Sequence, residues 1–422
     1  MRKQETSHED TKARRGSKID ELIAHLCPEG VAFKEIQEIF ITKNGYTPAT
    51  TNKDFWTDGT VPWFRMEDIR EKGRILSESM QQITEDAVKG GRLFPANSII
   101  VATSATIGEH ALITVPHLSN QRFTSLALKP AFAKQLDTKF VFYYCFVLNH
   151  WCRNNTTTSS FASVDMSGFK KFRFPVPPLE VQREIVKILD TFTELEAELE
   201  AELEARSRQY KYYRDRLLIS DEQDVRWSTM AEVGEFYRGR RFTKNDFDVE
   251  GVSCIHYGDI YTQYGISATE TVSRVRSDMV STLRFAKPGD LVIAAVGETV
   301  EDVGKAVAWL GDGEVAIHDD CFAFRHSLNP KFVSYYFQTA AFHSEKNKFV
   351  ARAKVKRLSG ESLGKLAIPV PPPEEQARIV AILDALDTLV NDLSSGLPAE
   401  IQARRQQYEH YRDRLLSFRE AA

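Results

Sequence analysis

The chain has 422 residues, 42% hydrophobic and 27% charged, a globular composition long enough for two or three cores and too apolar for a disordered polymer. Lys+Arg 55 against Asp+Glu 59 gives a net charge of −4, so nucleic-acid binding must rest on local basic features or on a partner that supplies charge. Five cysteines (Cys27, Cys145, Cys152, Cys254, Cys321) without a C-x-x-C pair argue against a disulfide scaffold or structural zinc, and no run of 18 apolar residues predicts a membrane span.

Residues 1–19 are polar, mixed in charge and without the apolar run of a signal peptide; they read as a flexible tail. A first mixed α/β domain is expected over 20–174. In it, Lys43, Asn44 and Tyr46 join a cation, an amide and an aromatic ring. Ser98-Ile-Ile-Val-Ala102 reads as a buried strand after a turn at Asn97. Arg153 and Asn154 open a polar stretch to Ser160. Asp165 is placed to cap a short helix that ends near Lys170 and Lys171. The Pro175-Val-Pro-Pro178 run must be extended, because proline disfavours helix at the residue before it. It is the lead-in of the first spacer-helix segment, 175–220, where Ile185, Ile188, Leu189, Phe192, Leu195, Leu199 and Leu203 step by three or four. Glu180 and Gln182 suit its first turn through the helix dipole. Three tandem Glu-Leu-Glu-Ala units from Glu194 to Ala205 are strong helix formers. Roughly 40 helical residues make a rod of about 60 Å.

A second domain is expected over 221–368. Arg238, Arg240, Arg241 and Lys244 flank Phe236, Tyr237 and Phe242. Leu291-Val-Ile-Ala-Ala295 reads as a second buried strand after Gly289-Asp290. Lys354, Lys356 and Arg357 cluster before a cap at Ser359. A second helical segment over 369–420 is interrupted at Ser394-Ser-Gly-Leu-Pro398, where Gly396 suits a helix stop and Pro398 a new first turn.

The two halves repeat each other. Pro175-Val-Pro-Pro-Leu-Glu-Val-Gln-Arg-Glu-Ile-Val-Lys-Ile-Leu-Asp190 returns as Pro369-Val-Pro-Pro-Pro-Glu-Glu-Gln-Ala-Arg-Ile-Val-Ala-Ile-Leu-Asp384, with 11 of 16 positions identical. Gln209-Tyr-Lys-Tyr-Tyr-Arg-Asp-Arg-Leu-Leu218 returns as Gln407-Tyr-Glu-His-Tyr-Arg-Asp-Arg-Leu-Leu416. Weaker echoes relate Lys139–Tyr144 to Lys331–Tyr336 and Val61–Ile69 to Val252–Ile260. A period near 200 residues is a domain duplication, not a solenoid. An isolated apolar-striped rod is unstable in water, so the two rods are expected to pair antiparallel.

Motifs for catalysis are missing. Gly304-Lys305-Ala306 lacks the spacing of a phosphate loop, and there is no G-x-S-x-G, no H-E-x-x-H and no dinucleotide fingerprint. His318-Asp-Asp-Cys321 has metal-ligating residue types but no counterpart in the other half, and reads as a satisfied loop. Basic residues mixed with aromatics and amides suit phosphate anchoring and base-edge contact. The candidate DNA contacts are therefore Lys43, Asn44, Tyr46, Arg153, Asn154, Lys170, Lys171, Arg238, Arg240, Arg241, Lys244, Lys354, Lys356 and Arg357.

Two variable domains, each closed by the proline-led motif and a distal Gln-Tyr-x-x-Tyr-Arg-Asp-Arg-Leu-Leu, resemble the specificity subunit of type I restriction–modification systems over nearly the whole chain. The resemblance implies an α+β fold: two mixed α/β target-recognition domains separated by two long helices in an antiparallel coiled coil, related by a pseudo-two-fold repeat. It implies double-stranded DNA as ligand and two methylation subunits as partners, with restriction subunits in the full complex, in the cytoplasm. The subunit itself would have no catalytic centre, metal or cofactor. S-adenosylmethionine is expected on the methylation subunit, which modifies adenine at N6. The differing domains imply an asymmetric bipartite site. A coiled-coil scaffold with duplicated protein-binding domains, and a nuclease with an unseen motif, remain the alternatives.

Overall fold

The computed structural model describes residues 18–157, 162–219, 225–351 and 355–422. The helices that carry the architecture are α1 (Thr138–Asn154), α2 (Leu179–Ile219), α3 (Pro330–Tyr336), α4 (Pro373–Asn391) and α5 (Leu397–Leu415). The chain forms two compact units. One joins the chain up to Ala197 with Gln402–Ala422, and the other is Glu198–Ile401.

The sheet of the first unit uses β1 (Phe40–Asn44), β2 (Ile75–Leu76), β3 (Ser98–Ala102), β4 (His110–Ile113) and β5 (Phe123–Leu128), in the order β1-β5-β3-β4-β2. Every neighbouring pair is antiparallel except β2 with β4. Strand β3 is buried along its whole length, as its uninterrupted apolar run requires. Asn97 supplies the turn before it with φ +58°. The sheet of the second unit uses β6 (Gly234–Arg238), β7 (Ser267–Ala268), β8 (Leu291–Ala294), β9 (Ala306–Trp309) and β10 (Cys321–His326), in the order β6-β10-β8-β9-β7. Again only one pair, β7 with β9, is parallel. The two sheets share one topology, so the duplication inferred from the helical motifs extends into the domains whose sequences differ most.

The repeated motifs clamp each unit to its helix. In the first, Asp137 caps α1 by accepting from Lys139 and Phe140 N–H. Tyr143 Oη and Lys139 Nζ both donate to Asp190 on α2, each at 2.7 Å. Gln182 is fully buried; its Oε1 accepts from Asp137 N–H and its Nε2 donates to the Gln135 and Pro177 carbonyls. In the second unit Asn329 caps α3, and Lys331 and Tyr335 meet Asp384 at 2.8 and 2.7 Å. Gln376 accepts from Asn329 N–H and donates to the Pro371 carbonyl. Gln182 thus joins separated backbone segments, a stronger role than the dipole contribution expected of it. The proline-led segment is extended, and it also pairs: Arg173–Val176 lies against Ala32–Glu35, and Ala367–Pro369 against Trp227–Thr229. Asp165 and Ser359 cap their short helices as expected.

Helix contacts are antiparallel inside each unit. In the first, Phe192 meets Tyr408 and stacks on Tyr411 at 5.5 Å, while Glu196, further along α2, pairs with Arg405, earlier on α5. Arg412 lies over Phe146 at 4.6 Å, and Leu415 and Leu416 are buried in the core beside Val181, Ile185 and Leu189. Ile19, expected in the tail, is buried in that same core. Beyond α5 the chain returns to the domain: Val31 N–H donates to the Arg419 carbonyl, Ala421 N–H to the Val31 carbonyl, and Arg173 forks onto Glu420. In the second unit Tyr210 and Leu218 join the core formed by Phe332, Ile379, Leu383 and their neighbours. Asp215 accepts from Ala340 N–H at 3.2 Å and pairs with Arg214.

Helix α2 runs unbroken through the Glu-Leu-Glu-Ala repeats, whereas α4 and α5 are separated at Asp392–Gly396. The expected break is present, but Gly396 is needed for space, not for a left-handed φ. A Cβ there would sit 2.4 Å from the Thr388 carbonyl oxygen. Asp392 accepts from Ser394 N–H and from the Ser394 and Ser395 hydroxyls, which holds its carboxyl down at about 2. Among the described residues the five cysteines are free thiols, and no helix is long and apolar enough to cross a membrane.

Candidate nucleic-acid interface

Strand direction gathers the candidate residues of the second unit at one sheet edge. The β6–β10 register sets Arg238 opposite Phe322, and the β8–β10 register sets Ala294 opposite Cys321. The loops after Arg238, after Ala294 and before Cys321 therefore leave from the same end. Val296–Gly297 pairs with Lys356–Arg357 and brings that segment to the same edge.

The two predicted basic stretches converge on Asp319 and Asp320. Arg238 Nε donates to the Asp319 carbonyl at 2.7 Å, with its guanidinium 3.8 Å from the Asp319 carboxylate. Arg357 lies 3.3 Å from the Asp320 carboxylate. Arg284, which the sequence reading missed, donates to the Arg238 carbonyl. Ligand atoms of His318, Asp319 and Asp320 lie within 4.8 Å of one another. The hydrogen-bond network nevertheless occupies both ring nitrogens: His318 Nε2 donates to the Phe242 carbonyl and Nδ1 accepts from Asp320 N–H. This loop is an anchor for two arginines.

The Arg238–Lys244 segment lies close against it. A Cβ on Gly239 would fall 2.1 Å from the His318 carbonyl, and Arg240 N–H donates to the Ile317 carbonyl. Phe242, read from sequence as part of an aromatic and basic patch, is instead buried edge-on against His318 at 4.9 Å. Arg240, Arg241 and Lys244 are exposed and form no ion pair among the described residues. Lys356 is half-buried in its strand pair. Lys354 lies outside the described residues.

In the first unit the equivalent edge carries different chemistry. Lys43 is exposed, its ammonium 5.6 Å from the Phe94 ring centre. Asn44 accepts from the Thr124 hydroxyl at 2.9 Å. Tyr46 works inward: its hydroxyl donates to the Ala87 carbonyl and accepts from Lys89 N–H, and Lys89 covers its ring. A bridge between Ser104 and Ser163, with Thr156–Thr157 paired to Ser163–Val164, brings these residues to this edge. Here a cleft of about 560 Å³ is lined by Arg70, Arg74, Arg153, Glu109, Thr106 and Thr156. Glu109 is shared by Arg74 at 2.6 Å and Arg153 at 3.1 Å, while Arg70 is exposed and has no ion-pair partner among the described residues.

Three guanidiniums around one carboxylate leave surplus positive charge, and two hydroxyl side chains add donors and acceptors, a combination suited to a phosphate or a guanine edge. Ala105, at the lip, holds φ +62°, a strained left-handed conformation for a residue with a Cβ. Asn154 turns back to the His150 carbonyl. Lys170 and Lys171 are exposed at the end of their short helix and are not among the residues that line the cleft. Arg70 and Arg74 were missed because they follow the Val61–Ile69 echo without being repeated themselves: the second half has Tyr261 and Gly265 at the same offset.

The family model for the type I restriction modification DNA specificity domain matches residues 28–205 and again 222–403. The type I restriction enzyme EcoprrI specificity subunit of Escherichia coli is 41% identical over 377 residues, 86% of this chain and 89% of that protein. The EcoR124I/EcoR124II specificity subunit, also from Escherichia coli, is 31% identical over 66% of this chain and 70% of its own length. A chain from a structural study of assembly and conformational transition in the type I R-M system aligns with TM-score 0.65 and 19% identity, covering 92% of this chain and 97% of its own. The HsdS subunit from Thermoanaerobacter tengcongensis aligns with TM-score 0.51 and 17% identity, covering 93% and 96%. With both repeats matched and this level of identity over most of its length, the chain belongs to the family of type I restriction–modification DNA specificity subunits.

Proposed function

We propose that the chain reads an asymmetric bipartite DNA site for a type I restriction–modification complex, one half-site per unit, and docks two methylation subunits that modify adenine at N6. The observation that carries this reading is a shared sheet topology bearing different basic residues at equivalent edges: Arg70, Arg74 and Arg153 in one unit, Arg238, Arg240 and Arg357 in the other. One scaffold with two chemistries suits two different sequences. The net charge of −4 suits a subunit whose DNA grip is completed by partners. In this reading S-adenosylmethionine and the methyl-transfer groups belong to the methylation subunit, restriction subunits join the full complex, and the assembly acts on DNA in the cytoplasm.

The test is to express the chain with its neighbouring methylation subunit in a host without the system and to sequence the DNA with modified-base detection. N6-methyladenine in one split motif with a fixed gap, dependent on this chain, is the expected result. A soluble complex without new methylation favours the scaffold reading, and a contiguous palindrome contradicts the two-head reading.

A further inference from the structure

One charged group in the second unit is placed as no other described lysine is. Lys346 is completely buried. Among the described residues no carboxylate forms an ion pair with it; Glu301 and Asp302 act on it only from further off. Its ammonium donates instead to three backbone carbonyls: Val300 at 2.9 Å, Glu301 at 3.2 Å, and Val303. An ammonium has three donors and no acceptor, so these carbonyls satisfy it fully. Burial lowers its pKa to about 8, which leaves it charged at neutral pH. All three carbonyls belong to the loop that leaves β8 at the edge shared with Arg238 and Arg357.

The first unit shows what this lysine replaces. Gly108 and Gly304 both hold φ +87°, and each donates its N–H to the last residue of the preceding strand, Ala102 or Ala294, at 2.8 Å. Residues 103–107 fill the first loop, while the longer 295–303 fills the second. The short loop rests on Asn149: a Cβ on Gly108 would fall 2.2 Å from Asn149 Oδ1. The long loop rests on Lys346, whose Cδ lies 3.1 Å from a Cβ built on Gly304. A longer loop needs internal support to keep one shape. At its tip Glu298 and Glu301 are exposed, and Asp302 is held by the Thr299 hydroxyl and by Lys305 at 3.1 Å.

We propose that the 297–304 loop reads base edges and that Lys346 is its positioning residue, fixing the loop from inside without touching DNA. This rests on the DNA-reading function proposed above. Phosphates repel carboxylates, so Glu298 and Glu301 at such an edge suit the amino groups of cytosine or adenine in the major groove. The basic residues around the loop would hold the backbone.

The experiment maps methylation for the wild-type chain, the Lys346→Met variant and the Glu298→Gln/Glu301→Gln double variant, each expressed with the methylation subunit. The double variant alters only exposed side chains and is expected to keep the fold. It is expected to leave one half-site intact and to lose about tenfold discrimination at one or two base pairs of the other. Lys346→Met is expected to relax that same half-site more broadly. Wild-type motifs from both variants, or relaxation in both half-sites, would overturn the proposal. Should Lys346→Met yield no soluble complex, the double variant decides alone. A wild-type chain that directs no split motif refutes the underlying function instead.

Discussion

The most informative single residues are those whose polar atoms join segments far apart in the chain. Gln182 satisfies Asp137 N–H and two carbonyls from inside the core. Replacing it with leucine leaves those groups buried and unpaired, and should cost on the order of 2–3 kcal/mol, seen as a lower midpoint in thermal unfolding of the full chain. His110 and His117 add acid sensitivity to the same unit. Burial lowers their pKa values to about 3 and about 4 from an ordinary 6.5. The unfolded chain therefore binds more protons than the folded one between those values, and stability falls as pH drops from about 6.5 toward 4, by up to about 1.4 kcal/mol per pH unit for each histidine. Denaturant titrations at pH 7 and pH 5 should show this loss, and His117→Phe should reduce it. The sequence marked Gln182 and Asp190 by exact repetition but could not name their roles, because the partner atoms lie 45 to 51 residues away. It misplaced Phe242, where a basic neighbourhood in sequence conceals an inward side chain, and Tyr46, whose hydroxyl is taken by backbone.

Among the elements, the helices were the most legible, since period, propensity and proline positions all agree along them. Their pairing strands, Ala32–Glu35 and Trp227–Thr229, were not, because strands this short carry little pattern. The unbroken course of α2 supports a length prediction. Four residues turn a helix by ~400° and lengthen it by about 6 Å, while one base pair turns B-DNA by ~34–36°. Deleting Glu198–Ala201 should shorten the gap between half-sites and leave both half-site sequences unchanged; an unchanged gap in the methylation map would refute the relation. Gly396→Ala places a Cβ against the Thr388 carbonyl and should destabilise the α4–α5 junction by about 1–3 kcal/mol, measurable by calorimetry.

For the molecule as a whole, duplication was visible in the helical motifs, and the shared sheet topology extends it to domains whose sequences have diverged. The interface was only half legible. Of the basic residues at the two edges proposed to meet DNA, local charge pointed to Arg153, Arg238 and Arg357, whereas Arg70, Arg74 and Arg284 reach those edges only through folding. Arg70→Glu should weaken binding of the assembled complex across DNA sequences and reduce the slope of log affinity against log salt by about 1, if Arg70 holds a phosphate. The split composition of the first unit also has a consequence for how it is fastened. The second unit is one continuous segment, Glu198–Ile401. The first takes Leu415 and Leu416 of Gln402–Ala422 into its core, so it closes only by joining segments that have the whole second unit between them in sequence. A cut anywhere in Glu198–Ile401 therefore also unfastens the first unit, and the socket of Leu415 and Leu416 is the apolar surface such a cut would expose.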